Sequence, residues 1–432
     1  MPHIVGTRYA LGRLGWVVAA LAALRVVLPL LVLAELGPPG VPDFRYDGLT
    51  GDATGYYAAV RELIAGWRRP PAVLVVLTLA FVGSATAALA WAWRRLPGRR
   101  PWIVVSVAFV FALAFCVPVA SMSSPGAGVV GWPLVWSLPL HPWRALGLPL
   151  DPDGAYAVAI VLSLAANAVS VVATAYAGLF ATGRRTVAVG AAAMLAIWPL
   201  LTGLVTGERG WENGTWAVDV GLAAYTEPLS TALVTVSLAL LLSPGATDVR
   251  LAVAGASLGL ATTAKLSNGL LLGGALVLLA ARVGLRRSLP FAAGGAAFVP
   301  LVAAYWSKGY PAILDVNPDA WPSDPFELDH AVAAWTESLL FTPAMLLLLV
   351  PFAIVGAWRL GPGWRFQLLV FWSLLNPIVY SFYFVTPLHP RVLFASLPAV
   401  FVLWVLGAVT VSTAAADRLR PRAVGHGGSA AT

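Results

Sequence analysis

The sequence predicts an all-α polytopic membrane protein with about twelve transmembrane helices, and three observations carry that expectation. Mean hydropathy over the chain is +0.82. Hydrophobic residues make up 59% of the 432 positions and charged residues only 11%, against about 25% charge in an ordinary soluble domain. Apolar windows long enough to cross about 30 Å of hydrocarbon, roughly 17 to 25 residues each, recur along the whole length, and the short segments between them hold nearly all of the charge.

In chain order the windows fall near 14–36, 71–93, 102–122, 156–181, 186–206 and 226–243. Residues 250–281 are the ambiguous piece: one long helix, or two short ones hinged at TTAKLSNG, 262–269. The last four windows lie near 290–306, 337–358, 366–385 and 391–413. Arginine separates the two readings, because arginine-rich short loops mark the cytoplasmic side. With the hinge there are twelve spans and both termini are inside. RRLPGRR (94–100), GRR (183–185), RVGLRR (282–287), RLGPGWR (359–365) and DRLRPR (417–422) then all face the cytoplasm. Without it the last three clusters face outward. A single transmembrane unit covers 1–413, and 414–432 reads as a disordered cytoplasmic tail.

Of the 19 acidic residues, only Asp248 and Asp417 fall inside in this arrangement. The others lie in or beside outward loops, the sizeable ones being 37–70, 123–155, 207–225 and 307–336. Polar chemistry is therefore gathered on the outer face. No inward loop is long enough to fold around a nucleotide, and no Gly-rich phosphate loop follows a strand pattern. That disfavours ATP-driven or nucleotide-sugar chemistry, and no nucleic-acid partner is expected. Cys116 is the single cysteine, and the five histidines lack ligand spacing. Asp315, Asp319 and Asp324 lack the glycine and alternate spacing of a calcium loop. No metal or cofactor is predicted. The absence of an internal repeat weighs against a transporter built from inverted repeats. So does the near absence of charge inside the spans, with Arg25 the main exception.

Within the first outward loop, Tyr56, Tyr57, Val60, Leu63, Ile64 and Trp67 follow Asp52 at helical spacing, opposite Thr54, Arg61 and Glu62. The segment is too short to span. It is expected to be an amphipathic helix on the outer membrane surface, N-capped by Asp52.

This arrangement, GDATGYYAAVRELIAG (51–66), resembles the GT-C superfamily of polytopic glycosyltransferases, of the protein O-mannosyltransferase and aminoarabinose transferase type. TEPLSTAL (226–233), GLATTAKLSNG (259–269) and LHPRVLFASLPA (388–399) add to the resemblance. It implies a polyprenyl-phosphate-linked sugar as donor, the first-loop acid Asp52 as catalytic base, and Arg391 on the donor's phosphate. The chain departs from the pattern at one point. Related enzymes often carry Asp-Glu here, whereas Asp52 is followed by Ala53, so a second acid must come from elsewhere or be dispensable.

Glu227, just ahead of Pro228, suits the first turn of a helix, where the macrodipole favours a carboxylate. It is the candidate second acid, with a purely structural helix start as the alternative. Asp219 and Asp47 are less favoured competitors. Arg391 follows Pro390 at the start of the last span, where a cation meets the positive end of a dipole. A nearby anion should compensate, either a protein carboxylate or a lipid phosphate, whose oxygens suit the arginine fork. Lys265 stands at the hinge with about 15 helical residues beneath it, roughly 22 Å, which puts it at headgroup depth. It is either a second phosphate ligand or a snorkelling lysine. Arg45, Tyr56, Tyr57 and His389 complete the candidate contacts to donor or acceptor.

The functional expectation is a multi-pass plasma-membrane enzyme with an outward-facing site. It would move a sugar from a polyprenyl monophosphate to a hydroxyl of a glycan, lipid or protein acceptor, with inversion. The alternatives are a transporter or lipid flippase, and a polysaccharide polymerase or ligase using lipid-diphosphate donors.

Overall fold

A computed structural model describes residues 7–36, 52–66, 99–120, 122, 130–147, 152–206, 221–222, 224–245, 247–305, 327–332, 343–382 and 390–419. The expected span 71–93 and most of 307–336 lie outside these residues. Among the described residues the regular structure is helical: α1 (Thr7–Leu36), α2 (Asp52–Gly66), α3 (Arg99–Ala120), α4 (Gly131–Ala145), α5 (Pro152–Thr182), α6 (Arg185–Thr206) and α7 (Glu227–Leu242). There follow α8 (Asp248–Ala264), α9 (Asn268–Val283), α10 (Leu285–Ala296), α11 (Pro343–Leu360), α12 (Trp364–Ser381), a 3₁₀ segment (Pro390–Ser396) and α13 (Leu397–Leu419). Three described stretches, Gly154–Thr182, Leu285–Tyr305 and Leu393–Arg418, are long and apolar enough to cross a membrane. Large apolar side chains such as Val161, Val277, Ile354 and Trp358 stay more than half exposed on the helix surfaces, as a lipid-facing surface requires. The chain is a helical membrane protein.

The ambiguous stretch 250–281 breaks at the expected hinge. Helix α8 ends at Ala264, with Lys265 as its extended C-cap, and α9 starts at Asn268. The chain doubles back here. Asn268 Nδ2 donates to the carbonyl of Ala261 at 2.9 Å, a pair that a continuous helix would hold two turns apart. Helix α9 then runs antiparallel to α12, in a register marked by Ser267 against Tyr380, Gly274 against Phe371 and Arg282 against Trp364. Helices α8 and α10 run parallel, since Gly255 meets Phe291 and Gly259 meets Gly295.

This register sorts the charge. The Arg282 guanidinium lies 4.7 Å from the Trp364 ring centroid, so the clusters at 282–287 and 359–365 share one end of the bundle. Trp364 Nε1 also donates to the carbonyl of Leu241 at 3.4 Å, which brings the α7–α8 turn, with Arg250, to that same end. Glu227, Lys265 and Tyr380 are at the opposite end.

Close crossings rest on glycine. A Cβ on Gly356 would strike the carbonyl of Leu403, and one on Gly407 the carbonyl of Phe352, where α11 meets α13. Gly255 and Gly259 of α8 leave room in the same way for the backbone of α10 at Phe291 and Gly295. With no hydrophobic driving force between helices in lipid, such backbone approach supplies the packing energy.

Several expectations are corrected. The apolar face of α2 is turned to protein rather than lying on a membrane surface: Tyr56, Val60, Leu63 and Ile64 are buried, against α3 and α4. The region 123–155, read as a loop, contains α4, whose Trp132 and Trp136 are fully buried. Pro139 and Pro142 disguise it as loop, although proline at the exposed C-terminal part of a short helix is tolerable. Arg391 lies in the 3₁₀ segment, six residues before α13 begins, so it is not in that helix's first turn. Helix α13 continues to Leu419, so 414–419, expected as tail, are helical.

Candidate functional site

Two short helices build the site. Helix α7 has 16 residues and α8 has 17, joined by the turn 243–247, so the start of one and the end of the other are level. Each helix is about 24 Å long at 1.5 Å per residue, shorter than about 30 Å of hydrocarbon.

At these ends the charges match the helix dipoles. Glu227 opens α7, with Pro228 in its first turn, and Lys265 closes α8. An acid at a helix N-terminus and a cation at a C-terminus are both favoured. Lys265 Nζ lies 3.5 Å from Glu227 Oε1, with the side chains 16% and 6% exposed. Thr226 Oγ1 donates to Glu227 Oε2 at 3.4 Å. On its other side the ammonium stands 5.1 Å from the Tyr380 ring centroid, a cation–π contact. The Tyr380 hydroxyl hydrogen-bonds Ser267 Oγ at 2.6 Å.

Asn268 ties the hinge to α7. Its Nδ2 donates to Ser230 Oγ at 2.8 Å and to the Ala261 carbonyl at 2.9 Å. Because a carbonyl only accepts, the second bond fixes which amide atom points there. Asn268 Oδ1 is then buried and accepts nothing from the described residues, as is Asn376 Oδ1, one turn from Tyr380 on the facing helix. Buried acceptors left bare are costly, so this seam has capacity for hydroxyl donors.

Beneath Glu227 is a pocket of only about 10 Å³, the space of a single water, lined by Arg25, Asn167, Ser170, Thr231 and Phe394 among others. Arg25 is buried and donates to the Leu195 carbonyl at 3.3 Å. Pro199 explains that bond. Lacking an N–H, it leaves the carbonyl four residues earlier without its helical partner, and Arg25 fills the gap.

The remaining candidates approach through the protein layer around the pair. Helix α2 starts at Asp52; its carboxylate lies outside the described residues. Tyr56, one turn later, meets Tyr225 edge-on at 6.3 Å, two residues before Glu227. Tyr57 packs on Trp136 at 6.1 Å beneath Arg61. Trp132 Nε1 donates to the Ala224 carbonyl at 2.7 Å, and the Tyr156 hydroxyl to that of Leu222. The entry to Glu227 is therefore clamped. Ala224 sits there at φ 53°, a left-handed conformation that costs a non-glycine residue about 1–2 kcal/mol. Gly131, at the start of α4, packs on Thr263 and Ala264 with no room for a side chain. The α2–α4 layer is thus seated beside Lys265.

The 3₁₀ segment carrying Arg391 packs against α7 and α12, and its Phe394 lines the Glu227 cavity. The Arg391 side chain, Arg45, Asp47, Asp219 and His389 lie outside the described residues. The structure therefore joins Glu227 and Lys265 directly, and brings the helix of Asp52 and the segment of Arg391 to the same end. Sequence reasoning missed Asn268, Ser230 and Tyr380. The first two lie within GLATTAKLSNG and TEPLSTAL respectively, and a polar pair, Ser267 and Asn268, two and three positions after the hinge lysine was the available signal. Comparison with family models and with curated proteins gives no match.

Proposed function

We infer that this chain is an integral-membrane glycosyltransferase moving a sugar from a polyprenyl monophosphate to an acceptor hydroxyl at the outer face of the plasma membrane. The observation that carries the reading is the Glu227–Lys265 pair at 3.5 Å; the reading sets this pair at the membrane boundary, where a lipid phosphate and a polar acceptor can meet. The bare acceptors on Asn268 and Asn376 suit a hydroxyl-rich sugar.

In this reading Lys265 and Arg391 hold the donor phosphate, and the charge that grows on it as the glycosidic bond breaks is stabilised by fixed cations. Asp52 takes the proton of the attacking hydroxyl, general-base catalysis worth about 10²–10⁴-fold. Glu227 holds the Lys265 ammonium in position until the phosphate arrives. Attack opposite the departing phosphate inverts the anomeric carbon. The acceptor is a glycan, lipid or protein hydroxyl.

Purified protein incubated with radiolabelled polyprenyl-monophosphate sugars and a cell-envelope extract should transfer label, and Asp52→Asn should abolish transfer while the protein stays folded. Asparagine caps a helix about as well as aspartate, so retained activity in Asp52→Asn removes the base assignment. Transfer from lipid diphosphates only would make the protein a polymerase or ligase. One observation favours a second reading, a transporter or flippase: the buried Arg25 lines a cavity with Glu227, and charge within spans commonly marks a transport path. Vesicle uptake or lipid scrambling without sugar transfer would select it.

A further inference from the structure

We propose that the groove between α5 and α7, at the arginine-rich end of the bundle, binds one anionic phospholipid from the leaflet on that side. The site is separate from Glu227 and does not depend on the transferase reading.

The groove is a cavity of about 500 Å³ whose walls include Ala168, Val172, Tyr176, Val236 and Leu240. It exists because alanines stand where larger side chains would close the seam: Ala168 and Ala173 on α5, Ala239 on α7. Val169 and Tyr176 are 45% and 40% exposed, so the groove opens sideways to lipid. Its α5 wall runs from Ala168 to Phe180, about 18 Å at helical rise. That is close to half of the about 30 Å hydrocarbon thickness, the depth of one leaflet.

Apart from Tyr176, the polar side chains of the wall are at one end. Ser243 and Arg250 close the groove there, and the rest of the wall offers almost no hydrogen-bonding group. Arg250 Nη1 donates to the Pro244 carbonyl at 3.1 Å and lies 3.5 Å from Ser243 Oγ. These bonds hold the guanidinium at the mouth and leave further N–H groups to offer. Among the described residues no carboxylate pairs with it. An apolar slot one leaflet deep with a fixed, uncompensated cation at its interfacial end fits a lipid chain below and a phosphate above. Arginine's fork matches phosphate oxygens, and a net negative headgroup supplies the missing counter-charge. A zwitterionic lipid brings its own cation and gains less.

The test is native mass spectrometry of the full-length protein in detergent, offered phosphatidylglycerol, phosphatidylcholine or undecaprenyl phosphate. The expected result is retention of one phosphatidylglycerol in preference to phosphatidylcholine. Arg250→Gln should lower that retention about tenfold, the loss of one charge-assisted hydrogen bond, and bring it to the phosphatidylcholine level. Val172→Phe and Val236→Phe, which fill the groove from opposite walls, should lower retention of both. The wild-type comparison needs no variant to fold. Equal retention of the two phospholipids overturns the headgroup assignment, and retention unchanged by either phenylalanine overturns the location. Displacement of phosphatidylglycerol by undecaprenyl phosphate in an Arg250-dependent manner overturns the choice of lipid.

Discussion

Glu227 Oε1 and Lys265 Nζ lie 3.5 Å apart, although 38 residues of chain and a helical turn-around separate them. Nearly equal helix lengths on either side of the turn, 16 and 17 residues, bring them together, and opposite dipole ends favour both charges. A buried pair of this kind stabilises little against an apolar substitute, yet breaking it leaves an uncompensated charge. Such a pair in a bundle with few buried charges is an argument for function.

Glu227→Gln and Lys265→Met should each lower stability by about 2–4 kcal/mol, with the smaller loss for Glu227→Gln because Lys265 keeps 16% exposure. The double variant should recover much of that loss. Thermal melts of the four proteins in one detergent measure the coupling. Strictly additive losses would mean that the two charges do not interact.

Asn268 makes a sharper test of the hinge. Asn268→Leu removes the bonds to Ser230 and Ala261 and should cost about 2 kcal/mol, near 1 for each bond. Asn268→Asp should cost more, because a carboxylate oxygen would then face the Ala261 carbonyl in a buried site. Melting temperatures in the order Asn, Leu, Asp are expected. An aspartate variant as stable as the parent contradicts the amide orientation described above.

The glycine crossings predict opposite signs for one substitution. Gly407→Ala places a methyl group against the Phe352 carbonyl, which backbone cannot yield without parting α11 from α13, and should destabilise by about 1–3 kcal/mol. Gly273→Ala on α9 meets nothing within 4 Å and should instead stabilise the helix by up to about 1 kcal/mol. Urea or heat unfolding of both variants separates the cases. Equal effects would show that α11 and α13 are not in backbone contact.

Much of this was legible in the sequence where the physics is local or one-dimensional. Hydropathy and arginine placement pointed to the hinge at 262–269, because charge cannot be left in lipid and a helix too short to span must turn. The dipole preference of an acid before Pro228 located the start of α7. The helical spacing of Tyr56, Val60, Leu63 and Ile64 marked the apolar face of α2, but the partner of that face was wrongly assigned. Period alone cannot distinguish a membrane surface from the tryptophans of α4.

Sequence by itself determined that the chain is helical and membrane-embedded, where α8 gives way to α9, and which residues carry charge into apolar surroundings. Tertiary structure alone decided that Glu227 meets Lys265, that Arg25 fills the carbonyl freed by Pro199, and that Gly356 and Gly407 share one crossing. The reason is physical. Helix formation and lipid partition depend on residues within a turn or two, whereas ion pairing, carbonyl satisfaction and backbone approach depend on which helices are neighbours. That neighbourhood is set by the summed packing of the bundle and leaves no periodic trace in the chain.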